Sequence, residues 1–145
     1  MNYDFLKRAI SIAELSSKDV PVGAVIVRNN EIIAEAVNER EKQQNAIYHA
    51  EIIAIKKACE KLGTWRLNDC DMYVTLEPCP MCAGAIVQAR IRNLYFGAYD
   101  VLNGAFGSKI NIKMIMNSDI LVKGGLLEED CVNILKNYFE GLRKC

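Results

Sequence analysis

The sequence has 145 residues, with eighteen basic and eighteen acidic side chains. That length suits one domain able to bury roughly 70% of its unfolded surface. A composition of 51% hydrophobic and 25% charged residues excludes a disordered, collagen-like or coiled-coil chain. The charge balance excludes a uniformly cationic nucleic-acid binder but leaves room for a local basic patch. Leu6, Ala9, Ile10 and Ala13 recur at helical spacing and predict an amphipathic N-terminal helix ending near Ser16 and Ser17. Asp19, Val20 and Pro21 break it. Val22 to Val27 and Glu31 to Val37 read as two strands joined at Asn29 and Asn30, a β-hairpin. Ala50, Ile53, Ala54 and Ala58 predict a second helix that stops near Gly63. Met72 to Leu76 reads as a strand, Pro80 opens a third helix running to about Ala89, and Leu94 to Phe96 resumes strand character. Ile110 to Ile115 fits helix or strand equally. Ile120 to Val122 reads as a last short strand, followed by a helix with Cys131, Ile134, Leu135, Tyr138, Phe139 and Leu142 on one face. Helical spacing there favours the core for Tyr138 and Phe139, with stacking on a base as their alternative. The alternation of helices and strands predicts a three-layer α/β/α domain with a mixed sheet of about five strands, residues 1–145 forming one unit.

No run approaches the about 18 apolar residues of a membrane span. The charged positions Asp4, Lys7, Arg8 and Glu14 interrupt the opening segment as no secretory signal would allow, so a cytoplasmic location is expected. In that compartment six cysteines point to free thiols or a metal rather than a disulfide framework.

His49, the one histidine, begins His49-Ala50-Glu51. Downstream stands Pro78-Cys79-Pro80-Met81-Cys82, whose cysteines have zinc-ligand spacing, although such a pair alone also suits redox chemistry. Both segments fall at predicted helix starts, where unpaired N–H groups and the helix dipole favour thiolates. Cys79 and Cys82 lie one turn apart, so with His49 they offer three ligands to Zn²⁺ and leave a fourth position open, the pattern of a catalytic site. Glu51 is placed to transfer protons as a general acid/base without being a ligand. The competing reading is a closed structural site in a non-catalytic RNA-binding protein, with Cys59 or Cys70 as fourth ligand.

The H-x-E and P-C-x-x-C pair is the signature of zinc nucleobase deaminases. With Val20-Pro-Val-Gly-Ala-Val25, Tyr73-Val-Thr-Leu-Glu-Pro-Cys79, Met81-Cys-Ala-Gly-Ala85 and Phe96-Gly-Ala98, the chain resembles bacterial tRNA-specific adenosine deaminases of the cytidine/deoxycytidylate deaminase-like superfamily, almost end to end. The resemblance implies a cytidine-deaminase-like fold, zinc on His49, Cys79 and Cys82, Glu51 as proton shuttle, and hydrolytic conversion of adenosine to inosine at the wobble position of a tRNA anticodon. It also implies that Asn38 and Asp100 contact the substrate and that the chain forms a homodimer. Tyr48, Trp65 and Tyr99 are further stacking candidates, and Arg66, Arg90, Arg92, Arg143 and Lys144 are candidate phosphate contacts. Leu102 and Ser118 depart from the resemblance, standing where relatives carry a basic residue and a histidine. Deamination of a free base or nucleoside (guanine, cytosine or cytidine) is the alternative.

Overall fold

In the computed structural model, which describes residues 1–143, the chain forms a five-stranded sheet with helices on both faces. Helix α1 (Tyr3–Ala13) passes through a 3₁₀ turn (Glu14–Ser16) into the hairpin of β1 (Gly23–Arg28) and β2 (Glu31–Val37). Asn29 and Asn30 both take positive φ, 51° and 61°, as a two-residue type I′ turn requires. A single turn, α2 (Arg40–Gln43), leads to α3 (Ala50–Leu62), which ends at Gly63 in the left-handed conformation. Strand β3 (Cys70–Leu76), helix α4 (Pro80–Gln88) and strand β4 (Asn93–Ala98) form a crossover between parallel neighbours. The ambiguous segment before the last strand resolves to one helical turn, α5 (Ile112–Ile115), followed by β5 (Leu121–Lys123) and α6 (Glu128–Arg143). Lys144 and Cys145 lie outside the described residues.

The strand order is β2-β1-β3-β4-β5, antiparallel across β2, β1 and β3 and parallel across β3, β4 and β5. Strands β1 and β3 are covered on both faces, which explains their nearly continuous apolar runs. Their alternation sorts the core into two layers. Ala24, Ile26, Met72 and Val74 pack with Ala50, Ile53 and Ala54 of α3 and with Ala83 and Ile86 of α4. Val25, Val27 and Tyr73 pack with Leu6, Ala9 and Ile12 of α1. Tyr73 stacks on Tyr95 at 4.8 Å, and its hydroxyl accepts the N–H of Asn2 at 2.9 Å, so the second layer reaches the N-terminus.

The last helix departs from the sequence expectation. Packing against β4 and α1 fully buries only Cys131 and half-covers Ile134, Leu135 and Tyr138, whereas Phe139 and Leu142 are exposed. Apolar periodicity marks a face suited to burial without supplying what covers it.

Helix α1 crosses β1 so closely that a Cβ at Gly23 would collide with the carbonyl of Ala9. Gly23→Ala is expected to lower unfolding free energy by about 1–3 kcal/mol through overpacking, measured by urea denaturation.

Candidate metal centre and substrate cleft

The carboxyl end of β3 meets the N-termini of two helices. His49 is the N-cap residue of α3 and Cys79 that of α4, both in extended backbone conformation, and neither side chain is used to cap its own helix. Other groups take over those duties. The Asn38 side-chain oxygen accepts the Ala50 N–H at 2.8 Å, and Pro80 at the first position of α4 has no N–H to satisfy. The His49 and Cys79 side chains are thereby free to face each other across the gap.

His49 Nδ1 lies 3.6 Å from Cys79 Sγ and 3.5 Å from Cys82 Sγ, and the three donor atoms lie within 4.8 Å of one another. Donors placed tetrahedrally around zinc, with Zn–S near 2.3 Å and Zn–N near 2.0 Å, stand roughly 3.6 Å apart for sulfur and nitrogen. The two sulfur–nitrogen separations therefore match those of a zinc site. The group ends at three side chains among the described residues. Cys70 lies at the opposite end of β3 beside Asp69, and burial pushes its thiol up to about 11. It and Cys59 stand outside the group, so no side chain among the described residues closes the fourth position.

The electrostatics match a thiolate site. Hydrogen bonding from Cys82 holds the Cys79 thiol down to about 4, against the opposing effect of burial. The Cys82 thiol is pushed up, first by its bond to Cys79 and then by burial. His49 is raised, first by its hydrogen bond to Cys79. Glu51, in the first turn of α3, is 4% exposed. Burial raises its carboxyl to about 7, with a main-chain hydrogen bond and His49 pulling the other way.

A cleft of about 540 Å³ opens over these groups, lined among others by Asn38, Arg40, Asp100 and Tyr138. Asn38 donates to the Val20 carbonyl at 2.9 Å as well as accepting from Ala50, so its amide ties the segment before β1 to the start of α3. One of its N–H bonds remains for a ligand. Asp100 Oδ1 accepts from Leu102 and Asn103 N–H groups at 3.2 and 3.1 Å, a local turn that leaves Oδ2 unengaged. Tyr138, for which spacing favoured the core over a stacking role, stands at the cleft wall.

Other candidates lie elsewhere. Trp65 is exposed beneath the guanidinium of Arg66, with Arg90 also over its ring. Arg92 pairs with Asp71 at the start of β3 and β4, the end of the sheet away from the cleft. Tyr48 packs against the core, Tyr99 meets Phe96 edge-on, and the Ser118 hydroxyl accepts from Ile120 N–H in a turn. Sequence reasoning passed over Glu77, which is 2% exposed, lines the cleft and collects donors from a loop more than twenty residues away.

An α/β/α sheet with a His-Cys-Cys donor set and a buried glutamate beside it defines a deaminase, and residues 4–143 match the MafB19-like deaminase family, to which the chain belongs. It is 46% identical over 144 residues to the tRNA-specific adenosine deaminase of Bacillus subtilis (strain 168), spanning 97% of this chain and 89% of that one. A structure solved in studies of A-to-I editing by tRNA:A34 deaminases at the wobble position of transfer RNA matches with a TM-score of 0.85 and 38% identity, covering 92% of this chain and all of that one. A guanine deaminase structure from Bacillus subtilis matches at TM-score 0.64 and 34% identity, covering 81% of this chain and 91% of that one.

Asn38→Ala is expected to strand the buried Ala50 N–H and cost about 1–3 kcal/mol, read as a lowered denaturation midpoint. Cys82→Ser is expected to leave the chain folded but bind less than one zinc per molecule after dialysis, measured by atomic absorption.

Proposed function

We propose that this chain is a zinc-dependent hydrolase that converts adenosine to inosine at the wobble position of a tRNA anticodon, acting as one deaminase domain over residues 1–145. The observation that carries the reading is the placement of a buried glutamate beside a three-donor metal site that leaves one position open. The name of the 46% identical relative and the subject of the 38% identical structure support tRNA as the substrate class.

His49, Cys79 and Cys82 would hold the ion. Zinc bound there supplies Lewis-acid activation of water, lowering its pKa toward about 7. Glu51, with its carboxyl near 7, is matched to proton exchange at neutral pH. Its carboxylate takes one proton from the attacking water and delivers it to a ring nitrogen of the base, then takes the remaining proton of the added hydroxyl and delivers it to the departing amine, so that water and adenosine yield inosine and ammonia. The amide of Asn38 and the unengaged oxygen of Asp100 face a substrate in the cleft. An adenosine in an anticodon loop reaches such a pocket at a small unstacking cost, because no duplex has to open.

Assembly and location follow the same reading. Val101, Leu102, Met114 and Ile115 are all more than 60% exposed, on the loop after β4 and on α5. Such apolar surface suits a homodimer interface. No helix among the described residues is long and apolar enough to cross a membrane, which agrees with a cytoplasmic enzyme.

Inosine formation on an anticodon stem-loop with adenosine at the wobble position tests the assignment, with free adenosine, cytidine and guanine in parallel. Turnover of the stem-loop alone is the expected result. Turnover of a free base alone would move the chain to small-molecule deamination, a reading that the guanine deaminase match and the exposed, uncharged Leu102 make the main competitor. Glu51→Gln is expected to keep its zinc and lose at least about 10²-fold in kcat. The pair Met114→Glu and Ile115→Glu is expected to shift the sedimentation coefficient from dimer to monomer.

A further inference from the structure

Glu77 is separated from Cys79 only by Pro78 and is buried at the end of β3. Its own N–H donates to the Ala98 carbonyl at 2.8 Å, continuing the pairing with β4. Its side chain turns to the loop that follows β4. Oε1 accepts the Asp100 N–H at 3.1 Å and the Ser108 hydroxyl, and Oε2 accepts the N–H groups of Phe106 and Ser108, each at 3.1 Å. The Pro78 carbonyl accepts from Ala105 N–H at 2.8 Å, adding a main-chain tie beside the carboxylate. A Cβ at Gly104 would run into the Glu77 carboxylate, so the loop closes on the carboxylate only because that position carries no side chain.

Packing alone does not require this. Burying a carboxylate is unfavourable unless donors surround it, and an apolar residue would fill the same space at lower cost. Four donors from one loop on one carboxylate fix that loop rigidly to the short segment between β3 and the metal ligand Cys79. The loop in turn carries Asp100 and Asn103 into the cleft wall. We infer that Glu77 is a positioning residue that fixes the 100–108 loop relative to Cys79, and so governs affinity for the part of the substrate lying beyond the reacting base. The inference rests on the deaminase reading above for its substrate, while the anchoring itself rests on the hydrogen bonds alone. An amide at position 77 presents N–H to N–H, so Glu77→Gln breaks the arrangement with almost no change of volume.

The test uses the zinc-loaded full chain, with hydrogen exchange, zinc content and steady-state kinetics on the anticodon stem-loop. Glu77→Gln is expected to speed exchange at the amides of Asp100, Phe106 and Ser108 by about 10-fold or more while α4 amides and zinc content stay unchanged. KM is expected to rise by a similar factor with kcat within about 3-fold, the split that separates positioning from chemistry. Ser108→Ala, which removes only the hydroxyl donor, is expected to shift KM in the same direction by less, and serves if Glu77→Gln does not fold. Unchanged KM in a variant with faster loop exchange overturns the proposal, as does a parallel fall of zinc content and kcat. Absence of stem-loop turnover by the unsubstituted protein defeats the substrate assignment alone, and the exchange pattern then decides the anchoring by itself.

Discussion

Two helix N-termini that forgo their usual caps are the constraint on which the site depends. A helix start has unpaired N–H groups, and the side chain at its N-cap position normally answers one of them. Here the N-cap positions hold His49 and Cys79, and their side chains are directed to each other instead. The deficit is met from elsewhere in the chain, by Asn38 from the end of β2 and by a proline that removes a donor. What remains at the two helix starts is a field that favours anionic sulfur, and hydrogen bonding from Cys82 and His49 lowers the Cys79 thiol further.

The sheet explains why these two starts meet. Strand β3 belongs to both halves of the sheet, antiparallel to β1 and parallel to β4. Helix α4 leaves from its carboxyl end, where crevices form in α/β sheets, and α3 packs on the same face beside α4. The buried glutamate, the donor set and the loop held by Glu77 are all consequences of what converges at that one strand end.

Much of this was legible in the sequence because it is local. Paired asparagines between two apolar runs, Gly63 after a helical repeat and Pro80 after a strand each specify backbone geometry within a few residues. The close spacings of His49 with Glu51 and of Cys79 with Cys82 were legible for the same reason, whereas the meeting of the two pairs, thirty residues apart, depends on the fold. Glu77 was not legible, since all four of its donors lie in a loop that reaches it only through the pairing of β3 with β4. Asn38 drew notice through the resemblance alone, as an expected substrate contact, and its role as the tie between two segments was not legible because neither partner is close in sequence. Arg66, Arg90, Arg92 and Trp65 lie away from the cleft while Tyr138 lines it, because composition marks such residues without giving the end of the sheet they occupy. Helix α6 showed its apolar face clearly, yet nothing in its own sequence showed that Phe139 would lie uncovered.

The side chain of Cys131 fills the space that Gly97 leaves open on β4, and it is the one fully buried residue of α6. Tyr138 lies seven residues farther along the same helix, about 10 Å at the helical rise. Helix α6 is therefore held most deeply at a single sulfur, with the cleft wall two turns farther along. A tilt of about 10° at that sulfur carries the tyrosine roughly 2 Å by the same geometry. The contact between a cysteine and a glycine thus bears on the position of a cleft-wall residue two turns away.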